Sequence, residues 1–176
     1  LCIGGESKTY AEDAGGKATS TTHPSDQIFL LAWDPQSESV RLKNRYAEAP
    51  EPAEDFHPFP PLPQATTMLG GTIVGNKIYV LGGATQTGAT AKVWMLDLDR
   101  ARVTKDAAGN VLPWRWQAGP PIPGPARILP VVAAQNDGTR SNVYLFSGRT
   151  PGNAEESVIL TDAYALDPEQ KSWKRL

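Results

Sequence analysis

The chain has 176 residues and a formal net charge of −2, from 17 Lys+Arg against 19 Asp+Glu. That balance leaves no basic excess to neutralise a phosphate backbone, so nucleic acid is not an expected partner. No run of about 18 apolar residues occurs, so no membrane insertion is expected, and Cys2, His23 and His57 are too few for a thiolate or His-rich metal centre. The 16 glycines and 16 prolines, set among short apolar runs and five tryptophans, point instead to a folded, turn-rich, all-β chain.

In chain order, Leu1-Cys2-Ile3-Gly4-Gly5 reads as an apolar strand closed by two small residues. Ser7 to Gln27 reads as a long polar loop, a surface insertion rather than a lid over the mouth of a site. Ile28 to Trp33 is a strand, and Asp34-Pro35 opens a turn because proline presets φ. Pro58-Phe59-Pro60-Pro61-Leu62-Pro63 reads as a rigid crossover rather than a linker. Met68–Val74 and Lys77–Leu81 flank Gly75-Asn76, a two-residue hairpin turn. Gly82-Gly83 follows, then the strand Val93–Asp97, a turn at Asp106–Asn110, and Trp114-Arg115-Trp116. Gly119-Pro120-Pro121-Ile122-Pro123-Gly124-Pro125 is a second crossover. Leu129–Ala134 and Asn142–Phe146 form another hairpin, followed by Ser147-Gly148, the strand Ala163–Asp167 and Trp173. No stretch sustains a 3.6-residue period, so little helix is expected.

These elements form one unit repeated: an apolar strand, a small-residue pair, a loop, an apolar strand ending in Asp, and a Trp-bearing segment. Such repeats read as propeller blades, with approximate pieces 1–57, 58–118 and 119–176. The small pairs fit places where chains approach closely. The Trp or Tyr before each Asp would fill the wedge between sheets.

Ile78-Tyr79-Val80-Leu81-Gly82-Gly83, then Met95-Leu96-Asp97-Leu98-Asp99, then Trp, then Pro125-Ala126-Arg127 resembles a kelch repeat. The fold implied is a kelch β-propeller, here a partial ring of about 2.5–3 four-stranded antiparallel blades, the count of pieces in the sequence. Leu1 to Glu6, Phe29 to Asp34, Gly124 to Pro130, Tyr144 to Arg149 and Thr161 to Pro168 are similar to the N-acetylneuraminate mutarotase/epimerase family, its cyclically permuted branch above all. That resemblance implies a cofactor-free isomerase of a sugar acid, periplasmic or secreted. A propeller closes with several more blades, so the remaining ones are expected from another chain, a second copy or further sequence.

Opening and reclosing a hemiketal ring needs a base and an acid near the anomeric hydroxyl and the ring oxygen. A guanidinium suits the sugar's carboxylate. Candidates for the chemistry are Glu6 after Gly4-Gly5, Arg149 after Ser147-Gly148, and Glu155; Arg127 is the candidate for binding substrate. In the family an acid follows one small pair and an Arg stands six residues on. Here Arg149 takes the acid's slot and Glu155 lies six residues later, so the polarity is reversed. Each has a plainer reading: Glu6 as a solvated acid, Arg149 as a loop residue, Arg127 as a framework Arg bonding carbonyls. Asp97 and Asp167 read as turn formers, Trp94, Trp116 and Trp173 as packing, Cys2 as a small buried residue, and both histidines as surface groups. A non-catalytic module binding carbohydrate or protein is the alternative function, because fold does not fix function.

Overall fold

The computed structural model describes residues 1–12, 14–45, 52–152 and 156–176. The strands are β1 (Cys2–Ile3), a ribbon of β2 (Glu6–Glu12) and β3 (Ala18–Pro24), then β4 (Ile28–Asp34) and β5 (Ser39–Lys43). There follow β6 (Gly70–Val74), β7 (Lys77–Leu81), the short pair β8 (Ala84–Thr85) and β9 (Gly88–Ala89), β10 (Val93–Asp97) and β11 (Gln117–Ala118). The last four are β12 (Val131–Asn136), β13 (Ser141–Phe146), β14 (Ala163–Asp167) and β15 (Ser172–Arg175). Among the described residues the only helical segments are two 3₁₀ turns, one of them Leu98–Arg100.

The three main sheets are antiparallel and follow one another along the chain: β1-β4-β5, then β11-β10-β7-β6, then β12-β13-β14-β15. They are successive propeller blades. The middle blade shows why they stack. Side chains alternate across a strand, and here both faces are apolar. Ile78, Val80 and Leu96 pack with Ile28 of the first sheet, while Tyr79, Leu81 and Val93 pack with Val143, Leu145, Tyr164 and Leu166 of the third. The two outer blades are covered on one face only. Leu31, Trp33, Val40 and Leu42 lie exposed on the first, cross-strand partners of one another, and Val131 and Phe146 lie exposed on the third.

The proline segments do form crossovers, and each drives a single aliphatic side chain into a seam between blades. Leu62 (3% exposed) sits in the first seam and Ile122 (4%) in the second. Trp116 Nε1 donates to Pro60 O at 3.0 Å, and Trp173 Nε1 donates to Pro120 O at 3.1 Å. Each indole thereby satisfies its polar edge on a crossover carbonyl, with the Trp116 ring buried and the Trp173 ring half-buried.

The turn readings match in detail. Gly75 takes φ +55 between β6 and β7, and the carboxylates of Asp34, Asp97, Asp106 and Asp167 accept from backbone N–H groups of the turns that follow them. Three expectations differ. The Ser7–Gln27 segment is not a loop: most of it is the seven-pair antiparallel ribbon β2–β3, in register from Glu6↔Pro24 to Glu12↔Ala18. Thr9, Tyr10, Thr19, Thr21 and Thr22 favour extended backbone there. Trp33 fills no seam; it stands 62% exposed on the uncovered face of the first blade. His23, His57 and Cys2 are each half-buried.

The small pairs adopt one conformation in all three blades: φ +64 and +101 at Gly4-Gly5, +62 and +100 at Gly82-Gly83, +54 and +101 at Ser147-Gly148. At Gly83 a Cβ would lie 2.6 Å from both Thr66 Cγ2 and Thr67 O, whereas at Gly75 it would meet nothing within 4 Å. Both Gly→Ala changes place alanine at positive φ, costing roughly 1–2 kcal/mol. Only Gly83→Ala adds the steric clash, so it is expected to lower stability in urea unfolding by clearly more than Gly75→Ala.

Candidate functional site

The small pairs gather one end of every blade into a common mouth. Gly5 N donates to Thr66 O (3.1 Å) and Gly83 N donates to Arg127 O (2.8 Å), so each blade is stitched to the lead-in segment of the next. Those lead-ins are equivalent. Thr67 exchanges two backbone hydrogen bonds with Ala84, as Ile128 does with Arg149. Leu129 N then donates to Met68 O at 2.8 Å, and both residues hold a left-handed φ (+52 and +53) despite their side chains. Such strain persists only where the surroundings over-determine it.

Beyond each pair the chain turns out as a hairpin: β2–β3 in the first blade, β8–β9 in the second, and a bridged loop with Arg149↔Ile159 in the third. Glu6, Ala84 and Arg149 therefore occupy one position in three blades, at the same end. Glu6 is exposed, and Thr67 Oγ1 donates to its Oε1 at 3.5 Å, the long limit for such a bond. Arg149 is half-buried, and its Nε donates to Ser157 Oγ at 2.7 Å, which in turn donates to Thr150 O. Among the described residues no ion pair joins Glu6 to Arg149 or Arg127. Glu155 lies outside the described residues.

Arg127 is 0% exposed and its fork is already filled. Nη1 and Nη2 donate to Asp162 Oδ1 and Oδ2 at 2.6 and 2.8 Å, Nη1 also to Ser147 O at 2.9 Å, and Nε to Pro125 O at 3.3 Å. Its charge lies 5.9 Å from the Tyr164 ring centre. The framework reading of Arg127 is thus the one its surroundings fit: the bidentate partner is the protein's own carboxylate, and no open face offers the fork to a substrate. Sequence reasoning missed Asp162. It lies in the quoted Thr161–Pro168 segment, but 35 residues separate it from Arg127 and no local pattern joins the two. In the second blade the equivalent position is Thr66, also buried (4% exposed).

The Arg127 hydrogen bonds hold the Asp162 carboxyl below its ordinary range, against the opposing effect of burial. A carboxylate depressed in the folded state contributes stability above its unfolded pKa and loses it as pH falls through the folded value. Asp162→Asn is therefore expected to flatten the acid-side loss of stability below about pH 4. Arg127→Ala, which leaves the half-buried Asp162 carboxylate without its partner, is expected to cost about 1–3 kcal/mol. Denaturant unfolding at neutral and acid pH measures both.

Among known proteins, this chain is similar to the N-acetylneuraminate epimerase of Pasteurella multocida, 31% identical over 119 residues. The match takes in 67% of this chain and 26% of that protein, so the chain spans about a quarter of its relative's length. The resemblance expected from the motifs is thereby found. A solved structure, that of YjhT, is 25% identical and covers 65% of this chain and 27% of its own, with a TM-score of 0.45. No family model matches the chain.

Proposed function

We propose that the chain carries part of a sialic acid mutarotase/epimerase of the kelch propeller type, acting on N-acetylneuraminate or a closely related sugar acid. The similarity to N-acetylneuraminate epimerase is the observation that supports this most. Interconverting anomers requires a base to take the proton of the anomeric hydroxyl while an acid protonates the ring oxygen. The C–O bond breaks, the carbonyl form turns, and the ring recloses on the other face. Groups drawn from successive blades at one mouth suit this chemistry, because the ring must be met on more than one side. Glu6 is the carboxylate at the mouth and Arg149 the cation whose guanidinium would meet the sugar's carboxylate, with Glu155, six residues further along the sequence, a further candidate acid. No cofactor is needed for such proton transfers. A setting outside the cytoplasm belongs to the same reading.

The exposed apolar faces of the first and third blades call for neighbours, and further blades of the same kind would cover them. The pieces 1–57, 58–118 and 119–176 are the units that such a ring would extend. A second reading, a sugar-binding module without turnover, draws on the hydroxyl row of Ser7, Thr9, Thr19 and Thr21 on one face of the β2–β3 ribbon.

Exchange NMR of N-acetylneuraminate anomers separates the two. Catalysed exchange is expected above the spontaneous rate; Glu6→Ala is expected to reduce it by roughly 10²–10⁴-fold, and Arg149→Ala to weaken it mainly through a raised KM, as loss of a carboxylate partner does. Binding without acceleration favours the second reading and removes the first. Full activity in both variants removes these residues from the chemistry.

A further inference from the structure

Among the described residues, five that are not glycine hold a left-handed φ. Glu38 and Lys171 close the hairpin turns β4–β5 and β14–β15, and Ser147 belongs to a small pair. Met68 (+53) and Leu129 (+52) are in neither setting. Each follows the residue that bridges to the far side of a small pair, Thr67↔Ala84 or Ile128↔Arg149, and bends the lead-in toward β6 or β12. A glycine would make that bend without the crowding of Cβ against a carbonyl that a left-handed side chain meets. Two large apolar side chains stand there instead, at one position in consecutive blades.

Packing does not account for them. Met68 is 42% exposed although the following lead-in is bonded to it, and Leu129 is 55% exposed although the preceding one is. Neither neighbour therefore covers this position. The next residues do the packing: Leu69 lies against the first seam, and Pro130 is buried. The two exposed side chains also adjoin both candidate groups. Thr67, just before Met68, donates to Glu6, while Ile128, just before Leu129, exchanges two backbone hydrogen bonds with Arg149. The bond from Leu129 N to Met68 O joins the two halves.

We infer that Met68 and Leu129 are specificity-determining residues at the mouth, an apolar shelf that takes the acetamido methyl of the sugar acid. The inference rests on the mutarotase/epimerase reading above. Strain of this kind, at positions where glycine would relieve it, clusters at ligand contacts. N-acetylneuraminate is covered by hydroxyls, a carboxylate and an amide, and its methyl group is the part that a Met and a Leu would select by taking apolar surface out of water. The acetamido carbon lies across the ring from the anomeric carbon. Holding it orients the ring without touching the bonds that break and form.

Saturation-transfer NMR on the full chain tests this with two sugar acids, N-acetylneuraminate and the analogue that carries a hydroxyl in place of the acetamido group. The acetamido methyl protons are expected to receive the strongest saturation, and the analogue is expected to bind about tenfold more weakly. The double variant Met68→Gly, Leu129→Gly is expected to keep its urea midpoint at or above that of the parent, since glycine accepts the left-handed φ. It is nevertheless expected to bind the two sugars equally, whereas Met68→Leu retains the preference. Equal binding of both sugars by the parent, saturation centred elsewhere on the sugar, or a preference that survives in the double variant each overturns the inference and leaves the mutarotase/epimerase reading standing. Binding of neither sugar overturns both. If the double variant fails to fold, the methyl saturation and the preference of the unmodified chain decide the matter.

Discussion

Everything at the mouth depends on a close approach between backbones. A carbonyl of one blade's lead-in segment sits against the small pair of the blade before it, near enough that a Cβ at Gly4 would lie 2.4 Å from Thr66 O and one at Gly82 would lie 2.8 Å from Arg127 O. Two consecutive left-handed residues give that approach and also aim the second N–H at the carbonyl. The apolar seams then close behind it. Hydrophobic burial supplies most of the stacking free energy but is non-directional; the backbone stitch sets which residues come to the rim.

The third blade shows how far this constraint bends. Ser147 replaces the first glycine at φ +54, and it is here that the buried Arg127 donates to the Ser147 carbonyl. A buried ion pair is not in itself a strong source of stability, since desolvating two charges offsets much of their attraction. Its planar, bidentate geometry does fix orientation. The Arg127–Asp162 pair ties the lead-in, the strained pair and the segment before β14 into one rigid corner, and Arg149 begins immediately beyond it.

Much of this was legible in the sequence for physical reasons. Small pairs after apolar strands, Asp-Pro turns and Pro-Pro-Leu-Pro beside Pro-Pro-Ile-Pro are local signals, each with a steric or hydrogen-bonding cause, and their recurrence implied the stacked sheets. The ribbon β2–β3 was not legible as strands, because both its faces are solvated and no apolar alternation marks it. The partner of Arg127 was not legible because Asp162 meets it only through the sheet pairing of the third blade. Trp33 was misjudged because its place in the motif promised a seam, while the face it occupies has no blade against it.

The hairpins beyond the small pairs have very different sizes, from the two-residue strands β8 and β9 to the seven-residue strands β2 and β3. Yet the φ angles at the three pairs agree within about 10°. Framework and rim are thus mechanically decoupled: the segment after a small pair can lengthen, shorten or change its chemistry while the joint beneath it keeps its geometry. A ring assembled this way can revise what its mouth recognises one blade at a time, with no repacking of the seams.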